Sequence, residues 1–188
     1  YSGPPQPKAT TRCRIVSEHG WADLVGPTVC RTLTPDEVAV VRGKLGPDPL
    51  NADADPGQFY RAAAKSSRPI GVILMDQAAI SGVGNIFRAE SLYRQKIDPL
   101  RPGKTLSDDE LRRLWDDNKH LLTIGVRVGR IITTEQQDHP GIPETEAWPD
   151  HANYVYMRHG QKCPRCSATI RMEEIAGRKL YWCPGCQK

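Results

Sequence analysis

The chain has 188 residues, of which 38% are apolar and only 6% aromatic, with 16 Pro, 16 Gly and a formal net charge of +4. That length suits one ordinary domain or two small ones, and no apolar run approaches the roughly 20 residues of a membrane-spanning helix. Six cysteines without a secretory signal exclude a small disulfide scaffold and point to a reducing, intracellular setting.

The first residues, YSGPPQPKATTR, lack an initiator methionine and are rich in proline, so further sequence is expected upstream. Arg12 to Leu33 alternates short apolar patches with Gly20 and Gly26-Pro27, which predicts one or two strands at the end of a sheet. A hairpin alone is marginally stable, so a partner sheet is expected outside the chain. Cys13 and Cys30 read as small apolar fillers.

TPDE at Thr34–Glu37 has the form of a capped helix start, with Thr34 as N-cap, Pro35 at the first helical position and Glu37 closing a capping box. Val38, Val41 and Leu45 form its stripe, and Gly46-Pro47 is expected to supply a left-handed cap and a stop. A second helix is predicted around Gln58–Lys65, and Pro69 opens a third, buried one carrying Ile70 to Met75. Ser81, Gly82 and Gly84 then interrupt the pattern before a helix resumes over Phe87–Gln95. The glycines allow a sharp turn or a close approach to another molecule.

The longest predicted helix follows Ser107, where SDDE repeats the capping box, and buries Leu111, Leu114, Trp115, Leu121 and Leu122 out to about Val128. Between Ile132 and Asn153 the pattern dissolves into a polar, proline-bearing loop, expected to be mobile unless something docks on it. The histidines there, with His120 and His159, lack ligand spacing and read as solvated or hydrogen-bonding groups.

Cys163-x₂-Cys166 and Cys183-x₂-Cys186 are two knuckles sixteen residues apart, the spacing of a four-thiolate zinc site, with disulfides or a redox dithiol as the competing assignments. With four thiolates committed, no coordination position remains for catalysis, so one structural zinc ion is expected. The intervening residues suit a β-hairpin turning at Ala176-Gly177. From Asn153 to Lys188 seven Lys/Arg face two acidic residues, so the basic excess lies at this end. Arg178 and Lys179 at the hairpin turn could grip a phosphate or merely solubilise the turn. The SGVGN turn could present backbone N–H groups and Asn85 to an anion, or pack two helices closely.

MDQAAISGVGNIFRAESLYRQKIDPLRP, followed by YVYMRHGQKCPRCSATIRMEEIAGRKLYWCPGCQK, resembles the C-terminal part of the formamidopyrimidine-DNA glycosylase and endonuclease VIII family. The match covers its helix-two-turn-helix element and its zinc finger and runs from about Leu45 onward, with an ending nearer the bacterial endonuclease VIII branch. The resemblance implies a mainly α fold with a small β component: a remnant of an N-terminal β-sandwich over residues 1–33, a helical DNA-binding domain over 34–152 and a zinc-finger hairpin over 153–188. It implies base-excision repair, in which an oxidised base is extruded from damaged DNA, its glycosidic bond is cut by an amine nucleophile, and the strand is cleaved by β,δ-elimination.

By motif position Asn85 and Arg178 match the pair that grips phosphates around the flipped nucleotide. Gly82 and Gly84 shape that turn, Lys179 neighbours it, and Arg88 and Glu90 match site-proximal helix positions. The four cysteines match the zinc ligands. The family's N-terminal Pro-Glu is not matched by Tyr1-Ser2, and an internal proline nitrogen is an amide, so no catalytic residue is assigned and the chain is expected to be inactive by itself. The expected protein is a monomeric, membrane-free DNA N-glycosylase and lyase of the bacterial cytoplasm, working at the nucleoid. A noncatalytic zinc-ribbon module that binds nucleic acid or protein is the alternative.

Overall fold

The computed structural model describes residues 3–27 and 29–188; Tyr1-Ser2 and Thr28, which belong to the readings above, lie outside the described residues. The chain forms two compact units, Tyr1–Arg42 and Gly43–Lys188. Among the described residues no helix is long and apolar enough to cross a membrane.

In the first unit β1 (Thr11–Val16) and β2 (Trp21–Val25) pair antiparallel, with an irregularity between Thr11 and Cys13. Arg14 and Asp23 face one another across the strands, and the guanidinium grips the carboxylate with two bonds of 2.6 and 2.8 Å. Ile15, Val16, Trp21 and Leu24 are all exposed. The helix α1 (Pro35–Arg42) starts as the sequence predicts, with Thr34 and Glu37 exchanging side-chain-to-amide hydrogen bonds of 2.9 and 3.3 Å.

It ends earlier than predicted, and none of its residues is buried. Gly46 is not its left-handed cap. Gly46 is buried, donates its amide to the Gln77 carbonyl at 2.8 Å, and lies so near the backbone of Ala79 that a Cβ would sit 2.6 Å from its carbonyl carbon. The glycine therefore serves close packing in the second unit rather than helix termination.

The second unit is helical, with α2 (Gly57–Ala64), a single turn α3 (Ile70–Ile73), α4 (Asn85–Arg94) and α5 (Asp108–Val128). Phe59, Ile73, Leu74, Ile80, Leu92 and Leu114 lie at its centre, and Trp115 stacks on Phe59 at 6.4 Å between ring centroids. The predicted stripe of α5 is buried throughout. A second apolar cluster, including Ala89, Tyr93, Val155, Ile170 and Tyr181, joins α4 to the hairpin β3 (Arg171–Ile175) and β4 (Arg178–Trp182). The hairpin pairs Ile175 with Arg178 across Ala176-Gly177, both at positive φ, as a tight two-residue turn of matching twist requires.

The segment predicted to be a mobile loop is tied down. It carries two short 3₁₀ turns, Gln136–Asp138 and Glu144–Glu146, and buries Ile132, Ala147 and Ala152 against each other.

Ser107 and Glu110 form the capping box of α5, and Glu110 also receives two bonds from Arg101, at 2.7 and 3.1 Å. The Arg101 guanidinium outweighs partial burial and, with the Ser107 amide, holds the Glu110 carboxyl at about 2, below its ordinary 4.5. A carboxyl lowered by folding stabilises the fold fully above its unfolded value and loses that contribution as pH falls toward the folded one. Glu110→Gln should therefore lower the melting temperature at neutral pH, and the gap to the parent should close on acidification from about 4.5 toward about 2; a gap independent of pH would refute the ion pair's role.

Candidate nucleic-acid interface and zinc centre

The turn that precedes α4 divides the work of its two glycines. Gly82 sits at φ +84°, a left-handed conformation costly for other residues. Gly84, the N-cap of α4, has ordinary extended backbone at φ −107°, and nothing lies within 4 Å of where its Cβ would be. Its missing side chain therefore leaves open space at the helix start.

Asn85, the first residue of α4, is partly buried, and its Nδ2 donates to the Lys179 carbonyl at 2.9 Å. Arg88, one turn along, donates from its NH2 group to the same carbonyl at 3.1 Å and to the Asn85 Oδ1. Asn85, Arg88, Arg178 and Lys179 thus come together where the helix start meets the hairpin. Arg178 is exposed, while Arg88 is 1% exposed. Burial first, and then the nearby Arg178 guanidinium, pull the Arg88 pKa down to about 10, so it stays charged at neutral pH.

Glu90 has no exposed surface and so presents nothing to a partner outside the fold. Its Oε2 accepts from the Tyr154 amide and Thr133 hydroxyl at 2.8 and 2.7 Å, and its Oε1 from the Val155 and Tyr156 amides at 2.8 and 2.7 Å. Burial pushes its carboxyl above the usual range, against the pull of these bonds. Glu90 is what fastens the turn at 154–156, which leads into the finger, onto α4.

The four cysteine sulfurs lie within 4.8 Å of one another, with Cys163 and Cys186 at 3.7 Å and Cys166 and Cys183 at 3.3 Å. Tetrahedral zinc with bonds of about 2.3 Å separates its sulfurs by about 3.8 Å, so the array fits the ion. Burial and neighbouring thiols push Cys183 and Cys186 up. For Cys163 burial acts the same way, but bonds from the Tyr93 hydroxyl and the Arg165 and Cys166 amides prevail and bring it to about 7. Four thiols crowded in this way are relieved by a cation that takes them as thiolates. The chain holds one structural zinc ion at these cysteines.

Several residues that support the centre carry no sequence motif. Gln187 accepts from the Cys183 amide at 2.8 Å and donates to the Ile97 carbonyl at 3.0 Å, linking the second knuckle to the chain that follows α4. Arg165, inside the first knuckle, reaches Asp138 at 3.1 Å and Glu135 at 3.3 Å, with its guanidinium 4.6 Å from the Tyr154 ring centroid. Arg94 pairs with Asp117 of α5 at 2.9 Å. Asp117 lies in the polar run Asp116-Asp117-Asn118, so no local signal marked it as buried.

Residues 45–137 match the model of the formamidopyrimidine-DNA glycosylase H2TH domain, and 160–188 match that of the zinc finger found in FPG and IleRS. The protein called Endonuclease 8 1 in Mycobacterium tuberculosis is 43% identical over 184 residues, which is 97% of this chain and 68% of the relative. Formamidopyrimidine-DNA glycosylase of Thermus thermophilus is 37% identical over 77% of this chain and 54% of its own. The crystal structure of the MutM (FPG) protein from Thermus thermophilus superposes with a TM-score of 0.71 at 30% identity, over 97% of this chain and 70% of that one. Lactococcus lactis FPG in complex with DNA containing FAPY-dG gives 0.66 at 28% identity, over 82% and 56%. The chain spans about half to two thirds of these relatives. By its helical domain, its zinc finger and this identity, the chain belongs to the formamidopyrimidine-DNA glycosylase and endonuclease VIII family.

Proposed function

We propose that this chain is the DNA-holding part of a base-excision glycosylase and lyase that removes oxidised bases and cleaves the strand by β,δ-elimination. Asn85 and Arg178 grip backbone phosphates beside the extruded nucleotide, and Gly84 leaves room for the backbone to approach. The carrying observation is the bond from Asn85 Nδ2 to the Lys179 carbonyl, which brings the helix start and the basic hairpin turn onto one surface. Phosphate contacts position such a protein on DNA, and a lesion pocket supplies specificity.

In this reading residues 1–33 belong to a sheet domain, 34–152 to the helical domain and 153–188 to the finger. The exposed apolar residues of β1 and β2 fit a sheet completed by further strands. The protein works as a monomer on damaged DNA in the bacterial cytoplasm, at the nucleoid. Glu90 and Arg88 act from inside, by holding the finger and the turn.

The test is binding of the zinc-loaded chain to a duplex with a single abasic analogue, followed by fluorescence anisotropy. Asn85→Ala and Arg178→Ala should each weaken binding by about 1–3 kcal/mol, roughly five- to 150-fold, without loss of zinc. Parent-like affinity in both would remove the clamp. Borohydride should trap no adduct between residues 1–188 and damaged DNA, because internal proline nitrogens are amides; a covalent product would show a nucleophile within the chain.

A further inference from the structure

Arg88 is a buried cation with an unmet requirement. Its NH1 donates to the Gly71 carbonyl at 3.3 Å, its NH2 to the Lys179 carbonyl and Asn85 Oδ1, and its Nε finds no acceptor. Among the described residues no carboxylate pairs with it, and the charged neighbour that bears on it is a second cation, Arg178. Burying a charge without a counter-ion is expensive, and placing a like charge beside it adds to the cost. Neutral carbonyls answer only part of that cost, which leaves a site whose charge balance calls for an anion.

The same contacts fix the Asn85 carboxamide. A guanidinium only donates and a backbone carbonyl only accepts, so Oδ1 must face Arg88 and Nδ2 must face Lys179. Nδ2 carries two hydrogens and spends one on Lys179, so the second is held ready for an acceptor outside the protein. Turning the amide over would place its NH2 against the guanidinium and its oxygen against a carbonyl.

We propose that Arg88 is the positioning residue of the phosphate grip: it locks the Asn85 amide with its donor outward, and its charge, together with that of Arg178, takes a DNA phosphate as counter-ion. This rests on the DNA-binding reading above. Arg88 acts through Asn85 and through its field, since its own surface is closed off.

The experiment measures binding of the zinc-loaded chain to the abasic-analogue duplex from about 50 to about 200 mM salt, a range over which phosphate-dominated binding falls steeply. Arg88→Met, which keeps much of the volume and loses the charge, should weaken binding at least about tenfold and make the slope of log affinity against log salt shallower. Arg88→Lys should restore the slope but not the affinity, because an ammonium lacks the fork that reaches both Asn85 and Lys179. In an Asn85→Ala background the cost of Arg88→Met should shrink, since part of its effect runs through that amide.

Parent-like affinity and slope in Arg88→Met would overturn the proposal, as would an affinity loss with unchanged slope that is equally large without Asn85. Should Arg88→Met fail to hold zinc, Arg88→Lys decides: reduced affinity with the parent slope supports the proposal, and parent-like affinity sinks it. If the parent chain itself ignores the duplex, the DNA-binding reading falls; if Asn85→Ala and Arg178→Ala weaken binding while both Arg88 variants do not, the Arg88 proposal alone falls.

Discussion

Removing zinc with a chelator, or replacing Cys183 with serine, should release the β3–β4 hairpin while the helical core stays folded. The two parts rest on different apolar clusters: one centred on Phe59, Ile73 and Leu114, the other built from α4 and the finger. A two-stranded hairpin is at best marginal by itself, whereas binding to a structural four-thiolate site is worth about 10–16 kcal/mol in small finger peptides. Loss of the metal therefore removes far more than the finger's own packing supplies.

The consequence for binding follows from the same contacts. With the hairpin released, the Lys179 carbonyl leaves Asn85 and Arg88, and Arg178 leaves the surface it shares with the start of α4. Affinity for the abasic-analogue duplex should fall at least about thirtyfold, the sum of two lost phosphate contacts at roughly 1–3 kcal/mol each. Far-UV circular dichroism should keep its helical signal, and emission from Trp182, buried beside Cys183, should shift toward that of an exposed indole. Undiminished affinity and continued amide protection over Arg171–Trp182 in metal-free protein would rule this out.

What the sequence made legible were features closed within a few residues. The capping boxes at Thr34 and Ser107 join residues three apart, and the zinc knuckles announce themselves by spacing, so each could be located without a partner from elsewhere in the chain. The stripe of α5 was visible because its period is local.

The errors share the opposite cause. Gly46-Pro47 has the form of a helix stop, yet Gly46 is required by the backbone of Ala79, a neighbour that only the folded chain provides. The loop after α5 looked unattached because its anchors are far away in sequence: Thr133 and Tyr154 meet Glu90 across 43 and 64 positions. Nor could motif position alone separate a side chain that faces a ligand from one that holds the framework behind it. Asn85, Arg88 and Glu90 lie within one motif, and burial grades them from partly exposed to fully enclosed.

Glu90→Gln should be among the most destabilising single substitutions in the second unit, although it changes neither size nor shape. Each carboxyl oxygen faces at least one backbone N–H: Tyr154 at Oε2, Val155 and Tyr156 at Oε1. Whichever way a glutamine amide is turned, its NH2 must oppose a backbone donor, and two hydrogens then meet across a gap of 2.7 to 2.8 Å made for one. A buried donor left without an acceptor costs roughly 1–3 kcal/mol, and here at least one amide and the new NH2 are stranded together, so a loss of about 3–5 kcal/mol is expected. Glu90→Ala should cost at least as much, since it strands three amides and opens a cavity. Because the anchored residues lead into the first zinc knuckle, the loss should appear twice: as a lower denaturation midpoint, and as faster amide exchange at 154–156 under conditions where α5 remains protected. A glutamine variant with the parent's midpoint and exchange rates would mean that Glu90 does not carry this junction.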